Sequence, residues 1–248
     1  MVEIVFLGTG GGRIATCYQT RNTGGFLIKT GNIQMHCDPG PGTLNAMKEM
    51  NENPFKTNII FCSHEHTDHF NDVGLMIECM SNCGTEQRGI FIGKKELTNI
   101  FHKKLVEKEV ILKPYETFEF ENIKLTATPC KHDGDPIGFI LKIKEDVVKK
   151  IGYTSDTDFM PQLSDIFDNC NLIIFNCTRP YGKGLSKHLS TDKVINILNG
   201  INIKPELVVI THFGQKMIDA GPNFEARKIE RETGIRTIAV KDGEKIRF

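Results

Sequence analysis

Residues 63–69 read Ser63-His64-Glu65-His66-Thr67-Asp68-His69, directly after the apolar run Ile59-Ile60-Phe61-Cys62. Neither a buried core nor a solvated surface calls for three imidazoles and a carboxylate this close together. Imidazole nitrogen and carboxylate oxygen do suit zinc and its first-row neighbours. The stretch therefore nominates a metal site. Its crowding points to two ions, because four donors so near one another cannot all reach one ion without strain. A metal-activated hydrolase is the leading expectation.

Working outward, the chain repeats one arrangement. His132 follows an expected strand in Thr128-Pro129-Cys130-Lys131-His132-Asp133, Asp156 follows another in Ile151-Gly152-Tyr153-Thr154-Ser155-Asp156, and His212 a third in Val209-Ile210-Thr211-His212. A metal-ligand residue type just past a strand end sits on a loop that a rigid scaffold positions. The segment 58–64 also echoes 206–212: an apolar run, a hydroxyl residue, then a histidine. Two such strand ends side by side would aim their histidines into one crevice, at the carboxyl ends of strands where α/β sheets bind ligands. A single match does not make a repeat.

Runs rich in Ile, Val, Phe and Leu predict strands over 2–7, 25–29, 33–37, 58–62, 89–92, 122–128, 137–144, 149–153, 171–176, 206–211 and 235–240. Helical patterns fill 42–51, 70–82, 94–105, 159–168, 190–199 and 222–233. The first 40 residues read as a β-meander; the later alternation of strand and helix favours an α/β class. Ser190 before Thr191-Asp192 reads as an N-cap, Gly200 as a C-cap glycine, and Pro205 and Pro222 lie near element starts. No low-complexity linker interrupts the chain, and a single domain over 1–248 is expected.

The order and context of these residues resemble the metallo-β-lactamase superfamily, whose pattern is HxHxDH, a distant His, an Asp and a C-terminal His. The opening Phe6-Leu7-Gly8-Thr9-Gly10-Gly11-Gly12 and the turn Asp38-Pro39-Gly40-Pro41-Gly42 match that family too, so the resemblance covers essentially the whole chain. It implies a four-layer αββα sandwich. It implies two divalent ions, zinc first and iron or manganese as alternatives. One ion falls to His64, His66 and His132, the other to Asp68, His69 and His212, with Asp156 bridging. A bridging hydroxide would be the nucleophile, oriented or deprotonated by Asp68, and Asp38 would fix a ligand imidazole from behind.

His188, in Gly184-Leu185-Ser186-Lys187-His188-Leu189-Ser190, resembles the extra histidine of the phosphodiesterase-like branch that includes tRNA 3′-end processing nucleases. There it would face the scissile phosphate as acid or charge stabiliser; the alternative is a histidine anchoring the following helix. Arg13 and Arg21 are candidate phosphate contacts by the same resemblance, or solvated loop arginines. The glycines at 8–12 are not a nucleotide loop: no Gly-Lys-Ser/Thr follows and no helical pattern opens directly after them. The short 132–156 spacing leaves no room there for a substrate-gripping arm, and no RNA-binding extension follows His212. A compact lid over 182–187 is expected instead. His36 and His102 read as structural or solvated.

The formal net charge is zero, with 31 basic and 31 acidic residues, so the overall electrostatic footprint of a strong nucleic-acid binder is missing. The expected substrate is a small phosphodiester, a cyclic nucleotide or a short RNA end. The alternative is an acyl hydrolase of the lactonase or thioesterase type, which a pocket lined by Phe70, Phe159 and Phe213 would support. No secretory signal opens the chain and no run approaches the ~18 apolar residues that span a bilayer. A cytoplasmic protein without a membrane partner is expected, and a homo-oligomer is compatible with it. The eight cysteines are expected as thiols; Cys79 and Cys83 have a spacing that could bind metal, against plain packing.

Overall fold

The N-terminal meander forms in the computed structural model, which describes residues 1–94, 97 and 103–248. Strands β1 (Glu3–Phe6), β2 (Phe26–Thr30) and β3 (Ile33–Cys37) pair antiparallel, with Ile4 opposite Ile28 and Ile28 opposite Met35. Beyond β3 the sheet turns parallel through β4 (Ile59–Phe61), β5 (Ile90–Gly93) and β6 (Lys108–Ile111). Strands β3, β4 and β5 are buried at every position, as expected of strands covered on both faces. On the other side β15 (Lys245–Arg247) pairs with β1.

The chain divides into two compact units, Met1–Leu112 with Lys241–Phe248, and Lys113–Val240. In the first, helices α2 (Thr43–Glu49) and α4 (Val73–Met80) send Met47, Met76, Ile77 and Met80 onto Val5, Leu27, Ile60 and Phe91 of the sheet. The short α1 (Arg13–Tyr18) and α3 (Thr67–Phe70) belong to the same unit.

The second unit repeats the plan. Strands β7 (Thr117–Phe120), β8 (Ile123–Pro129), β9 (Ile137–Ile143) and β10 (Lys149–Tyr153) form an antiparallel run. From β10 the sheet continues parallel through β11 (Leu172–Arg179), β13 (Leu207–Thr211) and β14 (Thr237–Ala239), while the two-residue β12 (Leu189–Ser190) pairs with β11. Helices α5 (Leu163–Ile166), α6 (Thr191–Gly200), α7 (Gln215–Ala220) and α8 (Pro222–Thr233) accompany these parallel strands. Val194, Ile197 and Leu198 of α6 and Ile229 of α8 join Ile173, Phe175, Val208 and Ile210 in one core. Each such side chain contributes roughly 1.5–3 kcal/mol of burial.

Several expectations change. A helix does open after the glycine run: α1 begins at Arg13 with Gly12 as its N-cap and no side-chain cap bond. The helix expected over 70–82 is two pieces, α3 and α4, and that over 159–168 shrinks to α5. Ser190 occupies the N-cap of α6, but its hydroxyl is buried without a hydrogen bond. Gly200 is the last residue of α6, not its cap; a Cβ there would stand 2.4 Å from Ser164 Oγ, so glycine lets α5 and α6 touch. The echo 58–64 and 206–212 ends strands of different sheets, β4 and β13, so these two strands do not pair. His102 and most of 94–105 lie outside the described residues. No two of the eight cysteines are joined in a disulfide. No described helix is long and apolar enough to cross a membrane.

Candidate metal centre

In the first unit the donors gather around Asp38, the residue that follows β3. Asp38 is 3% exposed and its backbone lies in the left-handed region at φ +52°, which aspartate tolerates better than most residues. Its Oδ1 accepts from the Ser63 amide at 2.7 Å. Its Oδ2 accepts from the Ser63 hydroxyl and from His69 Nδ1, both at 2.9 Å. Because Ser63 gives its one hydroxyl proton to Asp38, its oxygen can only accept from His64 Nδ1, 3.0 Å away. Both rings are thereby fixed as Nδ1–H tautomers, which puts the lone pair of each on Nε2. His64 Nε2 stands 3.0 Å from His66 Nδ1. Asp68 Oδ2 lies 3.9 Å from His69 Nε2 and accepts from the Gly12 amide at 2.7 Å.

Cys62, one residue before this cluster, is fully buried. Burial first, then the Asp38 charge, pushes its thiol well up, against the smaller opposing pull of the His64 carbonyl. Its Sγ donates to the His64 carbonyl at 3.4 Å.

In the second unit His132, Asp156 and His212 each follow a strand end: β8, β10 and β13. Asp156 is 2% exposed; its Oδ1 accepts from Asn176 Nδ2 at 2.8 Å. His132 Nδ1 donates to the Lys187 carbonyl at 2.7 Å, which leaves its Nε2 as a lone pair 3.9 Å from Asp156 Oδ2. His212 Nε2 is 3.4 Å from Asp156 Oδ1, and its Nδ1 is 3.1 Å from Thr178 Oγ1. His188 joins the same group: Nδ1 lies 3.6 Å from Asp156 Oδ2 and 3.4 Å from Thr178 Oγ1. His132, Asp156 and His188 offer ligand atoms within 4.8 Å of one another. Ser155, Lys187 and His212 all hold positive φ, at +53°, +67° and +61°, so the site's backbone is constrained on three segments.

These donors fit divalent metal: imidazole lone pairs set by hydrogen bonds at the opposite nitrogen, beside carboxylates that are themselves held. Ser63, Asn176 and Thr178 were not singled out from the sequence as holders of the donors. Only Ser63 carried a signal, as the hydroxyl residue before the histidine.

The remaining candidates divide. Arg21 Nη1 donates to Thr9 Oγ1 at 2.8 Å, while Arg13 is exposed at the start of α1, beside the Gly12 amide that holds Asp68. Residues 181–187 are exposed throughout. Phe213 is fully buried within the core of the second unit and Phe159 packs against that core, while Phe70 packs on the core of the first. Cys79 is buried in α4 and Cys83 exposed beyond it, with no metal-binding group formed there among the described residues. His36 is buried, its Nε2 donating to the Gly24 carbonyl at 2.8 Å, in keeping with a structural role.

A family model described as the Beta-lactamase superfamily domain matches residues 34–213. The chain belongs to the β-lactamase superfamily. Within this superfamily it is 38% identical over 255 residues to the uncharacterized protein MJ1374 of Methanocaldococcus jannaschii, covering 99% of this chain and 94% of that protein. It is 30% identical over 151 residues to ribonuclease Z of Sulfolobus acidocaldarius, covering 58% of this chain; the match spans half the length (50%) of that relative. Among solved structures, the metallo-β-lactamase fold protein YhfI of Bacillus subtilis superposes with a TM-score of 0.82 at 16% identity, covering 99% of this chain and 98% of that one. The α/β class and metallo-β-lactamase fold expected from the sequence therefore stand.

Proposed function

We propose that this superfamily member is a metal-dependent phosphodiesterase, one catalytic domain over residues 1–248, acting on a small phosphodiester, a cyclic nucleotide or an RNA end. Its ligands are His64, His66 and His132 for one ion and Asp68, His69 and His212 for the other, with Asp156 shared. Zinc is the first choice; iron or manganese suits the same donors. Bound there, two divalent ions would polarise phosphoryl oxygens and make water nucleophilic at neutral pH.

The chain's own residues supply the rest. Asp68, steadied by the Gly12 amide, orients the attacking water and accepts its proton. Arg13 and Arg21 meet the non-bridging phosphate oxygens. His188 gives a proton to the leaving oxygen or stabilises its charge.

His188 is the observation that carries phosphodiester chemistry over other hydrolyses. Its side chain is 16% exposed, against 3% for His132, 2% for Asp156 and 7% for His212, so it is the imidazole of this group best able to reach a bound molecule. The likeness to ribonuclease Z supports the same chemistry, since a ribonuclease cleaves phosphodiesters.

The test is metal analysis of purified protein beside a substrate panel: bis-p-nitrophenyl phosphate, an RNA 3′-end diester, a thioester and a lactone. The expected result is bound divalent metal with turnover confined to the phosphodiesters. Protein without metal under metal-replete conditions, or turnover of the acyl substrates alone, overturns the reading.

A further inference from the structure

The turn that carries His188 is clamped by a charge pair outside the ligand set. Lys193, on α6, directs its ammonium to Asp158 Oδ1, to the Leu185 carbonyl at 3.0 Å and to the His188 carbonyl at 2.9 Å. Three acceptors match the three protons of an ammonium group. The other oxygen of Asp158 accepts from the Lys187 amide at 3.1 Å. The Asp158 amide in turn donates to the Lys131 carbonyl at 2.9 Å.

The clamp thus grips both sides of Lys187, whose φ of +67° is one that lysine rarely adopts. A residue persists there only where its surroundings over-determine it. The Lys187 carbonyl is also the acceptor that holds His132 Nδ1. One ion pair therefore ties together the segments before His132, after Asp156 and around His188.

We infer that Lys193 and Asp158 are positioning residues, which hold the 185–188 turn so that the Lys187 carbonyl fixes the His132 tautomer and the His188 ring stays beside Asp156 and Thr178. The pair is mostly shielded, at 20% and 18% side-chain exposure, and the groups it holds lie in the 185–188 turn. Its effect is local to the turn.

The test uses Lys193→Met and Asp158→Asn in the full chain. In ¹⁵N-labelled metal-free protein, either change should erase or broaden the exchange-protected His132 Nδ1–H signal and leave those of His64 and His69 in place. Phosphodiester kcat should fall about tenfold or more, with KM within about twofold. Lys193→Arg, which keeps a multi-donor cation, should recover most of the rate. An unchanged His132 signal together with unchanged kcat in folded Lys193→Met overturns the inference. If that variant does not fold, Asp158→Asn carries the same two readouts; if neither folds, the pair is structural and the inference fails. Only the kcat arm rests on the phosphodiesterase reading. A protein inactive on phosphodiesters whose His132 signal still responds to Lys193 would refute that reading and leave the clamp standing.

Discussion

Asp38 Oδ2 accepts a hydrogen bond from His69 Nδ1 at 2.9 Å and, at the same distance, from the Ser63 hydroxyl that stands against His64 Nδ1. One carboxylate thus sets the proton position on two imidazoles. Asp38→Asn keeps the size but presents an amide with its own protons, so the two tautomers are no longer fixed. Zinc affinity should drop by roughly 10–100-fold, read by calorimetric titration of metal-free protein. Affinity equal to that of the parent chain would remove Asp38 from this role.

His188→Ala should lower phosphodiester kcat by roughly 10²–10⁴-fold while bound metal is retained. The size of the loss should depend on the leaving group. p-Nitrophenolate departs without a proton, whereas a ribose alkoxide needs one. A larger loss on the RNA end than on bis-p-nitrophenyl phosphate marks His188 as a proton donor. Equal losses mark it as a charge stabiliser, and no loss on either substrate rules out both.

Gly40 sits where a Cβ would approach the Thr23 carbonyl oxygen to 2.1 Å and the Asp68 carbonyl oxygen to 2.2 Å. Both obstacles are backbone, so neither can rotate aside. Gly40→Ala should destabilise the protein by about 1–3 kcal/mol and should move the segment that carries Asp68 and His69. Urea unfolding and metal content should therefore fall together. A stable variant with full metal content would show that the Asp38-Pro39-Gly40 turn has more freedom than its contacts allow.

His36 gives the metal-free protein a pH dependence. Burial lowers its pKa to about 4, against the smaller raising effects of the Gly24 carbonyl and the Asp38 charge. The unfolded chain takes up this proton near the ordinary value of 6.5, so between 6.5 and 4 the unfolded state binds more protons. Stability present above that window is lost as pH falls through it, by on the order of 3 kcal/mol at most. Urea unfolding of the parent chain and of His36→Gln, which can still reach the Gly24 carbonyl, should diverge in slope over this range. Parallel slopes would mean that His36 is accessible to protons while folded.

The core strands were legible because their sequences are rich in Ile, Val, Phe and Leu. Those missed were β6, β7, β12 and β15. In β6 only Val110 is buried, and in β15 only Ile246, so these outer strands lack the pattern that marks a core strand. Helix α1 was missed because Arg13–Tyr18 opens without a side-chain cap. The donor residues themselves were readable by type and order. What fixes their proton positions was not: the bond between Asp38 and His69 spans 31 residues and that between His132 and Lys187 spans 55. Spacing carries no trace of partners brought together by sheet topology, and the Lys193–Asp158 pair was silent for the same reason.

Strand β15 and Asp242 come after the whole second unit in the chain, yet they complete the first. Asp242 accepts from the Thr9 amide at 2.8 Å, the Thr9 hydroxyl at 2.7 Å and the Asn22 amide at 2.9 Å, pinning both arms of the glycine loop. During synthesis on the ribosome, the second unit can acquire its own core while the first still lacks its outer strand and this anchor. Maturation of the N-terminal glycine loop is therefore a late event of biogenesis, and closing a contact across 233 residues makes it an intrinsically slow one.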